Sequence, residues 1–123
     1  MDIPDKRVAD LLCCGFEGGV GWCIITDYKA PEAPRSEWRS VWGEGEIFPH
    51  VDFPLLGGAV LCELVDPCDE DELVLDRKAC ERGLRVMSKK YPRHWGNFLA
   101  ENEDAETGDV FIQCALLGEV IYG

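Results

Sequence analysis

GGAVLCELVDPCDEDELVLDRKACERGLRVMSKKY, residues 57–91, is the stretch that decides the fold class. Gly57 and Gly58 open a short apolar run from Ala59 to Val65, and after the acidic turn Asp66 to Glu72 the run Leu73-Val74-Leu75 returns. Two such runs on either side of a turn predict a β-hairpin. Asp76 can then cap a helix reaching about Tyr91, with Ala79, Cys80, Leu84, Val86 and Met87 toward the core and Pro92 marking its end. A hairpin running directly into an amphipathic helix predicts an α+β fold with an antiparallel sheet.

Working outward toward the N-terminus, residues 4–16 place Val8, Leu11, Leu12 and Phe16 at helical spacing, with Lys6, Arg7 and Asp10 on the other face. Pro4 suits the first turn. Gly18, Gly19 and Gly21 stop that helix, and Trp22-Cys23-Ile24-Ile25-Thr26 reads as a buried strand. Residues 29–57 are rich in proline, glycine and charge but contain Trp38 and Trp42, which predicts a long loop with anchored tryptophans.

Toward the C-terminus, a short helix is expected over Trp95 to Asn102. Thr107 or Asp109 then caps an apolar helix, Val110 to Leu117, which Gly118 stops and an edge strand, Glu119 to Tyr122, follows. The whole is expected to be one domain, a small antiparallel sheet against three to four helices. A chain of 123 residues suits a single core.

Hydrophobic residues at 46% and charged residues at 29% are globular proportions, not those of a disordered chain. No apolar run approaches the roughly 20 residues of a membrane helix, and Met1 to Asp5 lack the features of a signal peptide, so a cytosolic protein is expected. Seven cysteines, an odd number without CxxC spacing, read as reduced and mostly buried thiols, with neither a metal nor another cofactor expected.

The charge is −12 overall but uneven, because residues 76–93 carry seven bases against two acids, leaving 22 acids and five bases elsewhere. The acidic body repels nucleic-acid backbones, so direct nucleic-acid binding is not expected, and the basic segment reads first as an internal counter-charge. Two sets of residues are candidates for binding. The acidic set is Asp69, Glu70, Asp71 and Glu72 with Glu101, Glu103 and Asp104. The alternative set combines Glu17, Gly18, Gly19 and Trp22 with Arg82, Arg85 and Lys89, where backbone donors, an indole face and cations could hold an anionic nucleotide.

Catalytic signatures are weak. The two histidines, His50 and His94, sit in no recognisable nucleophile motif, and the glycine loop precedes a strand rather than a helix, unlike a phosphate-binding loop. Glu17, Asn97, Asp109 and Gln113 are the best candidates for buried polar residues, each in apolar or capping context, for which a structural hydrogen-bond network is the expected role.

Val8-Ala9-Asp10-Leu11-Leu12-Cys13 with Glu17-Gly18-Gly19 and Trp22, Lys90-Tyr91-Pro92-Arg93-His94, and Thr107 to Leu116 with Gly118 to Gly123 together carry a resemblance. The chain resembles a group of small proteins encoded by tailed phages and prophages. The likeness covers both ends but not residues 29–75, and this chain departs from the pattern in placing Gly21 before Trp22. The resemblance implies a phage accessory protein acting in the infected cell. Joined to the missing catalytic set, it leads to a non-enzymatic anti-defence protein whose acidic surface mimics nucleic acid and occupies a host immune protein, such as a CRISPR effector. A sponge for a small cyclic-nucleotide signal and a regulatory protein with another partner are the alternatives, and homodimerisation stays open.

Overall fold

The computed structural model describes residues 2–66 and 71–123. Helix α1 (Asp5–Glu17) leads into strand β1 (Cys23–Lys29), and after a winding segment come β2 (Ala59–Leu64) and β3 (Leu73–Leu75). Helices α3 (Arg77–Lys90), α4 (Pro92–Leu99) and α5 (Ala105–Leu117) complete the chain. The sheet is antiparallel in the order β1-β2-β3, so the expected hairpin is present and β1 joins its other side. The register shifts between Ile25 and Asp27, a bulge at which the Thr26 hydroxyl donates to the Leu61 carbonyl.

Helix α5 is the centre of the molecule. Val110, Phe111, Ile112, Gln113, Cys114 and Ala115 are all buried, because α1 and α3 pack on it from two sides and β3 touches it as well. Glycines set the spacing of those helices. A Cβ at Gly108 of α5 would stand 2.3 Å from the Gly15 nitrogen of α1, and one at Gly83 of α3 would stand 3.0 Å from the Ala115 Cβ. The amphipathic faces read from sequence are the buried ones, Val8, Leu11 and Leu12 on α1 and Ala79, Cys80, Leu84 and Met87 on α3.

Asp76 caps α3 as expected, its side chain accepting from the Ala79 N–H, and Gly118 ends α5 in the left-handed conformation at φ 79°. Other expectations need correction. Helix α5 starts at Ala105, capped by Asp104, whereas Thr107 and Asp109 already lie inside it. Helix α4 starts at Pro92, which supplies the first turn instead of a gap before a helix at Trp95. Glu119 to Tyr122 form no strand, since their backbone bonds go to side chains of Gln113 and Tyr91 rather than to a neighbouring strand.

The segment 30–58 is also more ordered than a loop. It contains α2 (Pro49–Asp52) and two 3-10 turns (Arg35–Glu37 and Phe53–Leu55), which brings the α-helices among the described residues to five, against the three to four expected. Asp52, fully buried, organises this segment by accepting from the Ser40 hydroxyl and from the Val41 and Phe48 N–H groups. Both tryptophans are anchored as expected, Trp38 against Phe53 with its indole N–H on the Ala33 carbonyl, and Trp42 with its indole N–H on Asp10.

Candidate functional site

The side chains that carry polar function meet where the C-terminal tail crosses α5. Gln113, fully buried, receives the Ile121 and Tyr122 N–H groups on its carbonyl oxygen and donates its amide to the Tyr122 carbonyl and to Asp109. Asp109 in turn accepts the Trp22 indole N–H at 2.6 Å, and the Trp22 ring stacks on Tyr122 with centroids 5.5 Å apart and planes within 6°. Tyr91 completes the arrangement, its hydroxyl accepting the Val120 N–H. Asp109 and Gln113 thus form the structural network expected of them, whereas Glu17, expected to be buried, is exposed and stands outside it.

Hollows open on either side of this tail. The wider one, about 400 Å³, is lined by the stacked pair Trp22 and Tyr122, by Gly21, Val65 and Gly123, and by Asp66 and Asp109. The narrower one, about 170 Å³, is bounded by Tyr91, His94, Glu106, Asp109, Gln113 and Tyr122. In it the buried His94 ring lies 3.0 Å from the Thr107 hydroxyl, which is itself fully buried and so shielded from any incoming substrate.

The acidic candidates divide. Asp69 and Glu70 lie outside the described residues. Asp71, Glu72 and Glu101 are exposed. Glu103 is half-buried and paired with Arg7, which also binds Asp10 and the Phe98 carbonyl, so this carboxylate fastens α1 to the α4–α5 connection. Asp104 is exposed but its oxygen is committed to capping α5. Asp66, at the start of the same acidic turn, lines the wider hollow together with Asp109.

The alternative set is not brought together. Glu17 bonds His50 and Cys13 at the end of α1, and Gly18 backs onto Ala105. Arg82 donates to the Ala115 carbonyl at the far end of α5, while Arg85 and Lys89 lie exposed on α3. None of these five residues, and not Gly19 either, lines the hollow at Trp22. The residues of that hollow absent from the sequence-derived candidates are Gly21, Val65, Asp66, Tyr122 and Gly123, and nothing in their local sequence marks them as a site.

Several of the described thiols are held protonated. Burial pushes the Cys80 and Cys114 thiols up to about 12, and burial with the neighbouring Glu17 carboxylate raises Cys13 to about 12 as well, which keeps all three protonated at neutral pH. Among the described residues no three His, Cys, Asp or Glu side chains gather in metal-binding fashion.

Three carboxyls are held below their ordinary range: Asp104 by the Thr107 N–H, Asp5 by its hydrogen bonds from Arg77, and Glu17 by its bond from His50. A depressed folded-state value stabilises above the unfolded value, near 4, and that contribution is lost as the pH falls through the folded value. The melting temperature is therefore expected to drop on acidification below about pH 5. Asp104→Asn keeps the cap but removes one titrating group. Its melting temperature at pH 7 should stay within about 3 °C of the parent while its acid limb flattens. An unchanged acid limb in a thermal series from neutral to acidic pH would refute the assignment to Asp104.

Comparison with protein-family models, with curated proteins and with solved structures finds no match to this chain.

Proposed function

We propose that this protein is a non-enzymatic phage accessory protein that occupies a basic nucleic-acid groove of a host defence protein with its acidic surface. The observation that supports this most is how the two charge populations are used. Three of the seven cations in residues 76–93 are taken up by the protein's own groups: Arg77 by Asp5 and the Leu55 carbonyl, Arg82 by the Ala115 carbonyl, and Arg93 by Glu106. Acids such as Asp27, Glu63, Asp66 and Glu72 stay exposed around the sheet. Lys78, Arg85, Lys89 and Lys90 stay exposed as well, but the exposed acids outnumber them, and opposite charge would steer a basic partner to those acids.

The phage setting rests on the resemblance carried by both ends of the chain. A CRISPR effector is the leading partner class, since such proteins hold nucleic acid in a positively charged channel. Plaque counts test this reading. Production of the protein in bacteria whose CRISPR system targets a phage should restore plaquing at least tenfold, and Asp66→Asn/Asp71→Asn/Glu72→Gln should lose that rescue while remaining folded. Equal rescue by the neutralised variant would reject the acidic surface, and no rescue against any nucleic-acid-guided defence would reject the partner class.

A further inference from the structure

We propose that the hollow at Trp22 is a receptor for a guanidinium group, the anchor point for an arginine side chain of the partner protein. This deepens the reading above, on which it rests only for a protein as the source of the arginine; recognition of the guanidinium itself follows from the site. The hollow offers a stacked indole and phenol, and it holds two carboxylates, Asp66 and Asp109, from parts of the chain 43 residues apart. No cation among the described residues pairs with either carboxylate. Asp109 spends one acceptor site on Trp22 and one on Gln113, but an ionised carboxylate has about four lone-pair sites, so each oxygen can accept again.

Aromatic residues beside carboxylates that have no cationic partner favour a cation, and the hydrogen-bonding capacity left on those carboxylates favours a planar one with several N–H donors. A guanidinium can lie on a ring and present its N–H fork to a carboxylate at the same time, whereas an ammonium is a compact, strongly hydrated charge. The volume, about 400 Å³, is ample for an arginine side chain. Val65 and Ile121, both more than half exposed, supply apolar surface beside Asp66 and Tyr122 for the residues flanking that arginine. Arginine in an aromatic pocket is a typical energetic centre of a protein interface, and charge complementarity makes a basic partner the occupant.

Gly21 gives a clean control. A Cβ there meets nothing within 4 Å, and its backbone is not in the left-handed region, so Gly21→Leu adds bulk to the lining of the hollow without straining the fold. The experiment follows the assigned Trp22 indole N–H resonance of the whole protein during titration with acetyl-arginine amide, lysine amide, and a blocked tripeptide with a central arginine. The resonance is expected to move in a saturable way, with arginine amide binding about fivefold more tightly than lysine amide and the tripeptide more tightly still. Asp66→Asn should weaken arginine amide about fivefold, and Gly21→Leu should abolish the shift while its melting curve stays intact.

A still resonance, or a shift that persists in Gly21→Leu, overturns the site. Equal response to lysine amide overturns the guanidinium assignment, and a tripeptide that binds less tightly than arginine amide overturns the assignment to a protein side chain. None of these outcomes depends on whether a host defence protein is inhibited, so failure of the pocket and failure of the proposed function can be told apart.

Discussion

Gly108→Ala is expected to destabilise the protein by about 3 kcal/mol, and Gly108→Val by more, which would remove much of the stability usual for a domain of this size. The cause is the crossing of α1 and α5. A Cβ at position 108 would lie 2.3 Å from the Gly15 nitrogen and 2.7 Å from the Cys14 carbonyl carbon, and these are backbone atoms that no rotamer change can move. Relief requires the two helices to separate, which unpacks Leu11, Leu12, Phe111 and Ile112, all fully buried. Gly96→Ala is the matched control, since a Cβ on that exposed helical glycine meets nothing within 4 Å; it should gain up to about 1 kcal/mol. Urea unfolding followed by circular dichroism measures both, and a loss below about 1 kcal/mol at Gly108 would mean that the helices are not locked together at this point.

Gln113→Leu is expected to cost about 2 to 3 kcal/mol and, more distinctively, to free the tail. Leucine fills similar volume but leaves the Ile121 and Tyr122 N–H groups and the Tyr122 carbonyl without the partners that Gln113 supplies. Those backbone groups can recover bonds only by reaching water, so Tyr122 should leave Trp22 and the stacked pair should come apart. Hydrogen exchange at the amides of Ile121 and Tyr122 should quicken on the order of a hundredfold, with a red-shifted tryptophan emission. Slow exchange at both amides in a folded Gln113→Leu variant would show that the tail is held by other contacts.

Much of the architecture was legible because local signals agreed with one another. Gly57 to Leu75 carries strand runs around a turn, Asp76 sits where a cap is needed, and Gly118 stands where α5 must stop, so pattern and punctuation led to the same elements. The failures have definite physical causes. The tail, Glu119 to Tyr122, has strand composition but bonds to the Gln113 amide, and a side-chain partner 8 or 9 residues back leaves no periodicity to read. Helix α5 was read as starting too late because Asp104, Thr107 and Asp109 are all credible caps, and tertiary packing at Gly108 selects the first of them.

The candidate site was legible only in fragments. Trp22, Asp109 and Gln113 drew attention singly, Asp109 and Gln113 as polar groups in apolar or capping surroundings, but their convergence with Tyr122 and Asp66 is a property of the three-dimensional fold. Conversely, Glu103 reads as part of an exposed acidic run, yet the fold pairs it with Arg7, and no charge count distinguishes a surface acid from one that fastens two helices. Helical glycines are no guide by themselves, since Gly15, Gly83 and Gly108 stand where helices meet closely whereas Gly96, also inside a helix, meets nothing within 4 Å.

Binding through acidic surface is tested most directly by displacement of a fluorescent nucleic acid from a purified, basic-grooved CRISPR effector, followed by anisotropy over a series of salt concentrations. The parent protein should displace the nucleic acid, its potency should fall at least tenfold between about 50 mM and about 300 mM salt, and Asp66→Asn/Asp71→Asn/Glu72→Gln should be weaker at low salt. Displacement that is indifferent to both salt and charge neutralisation would contradict an acidic mimic of nucleic acid.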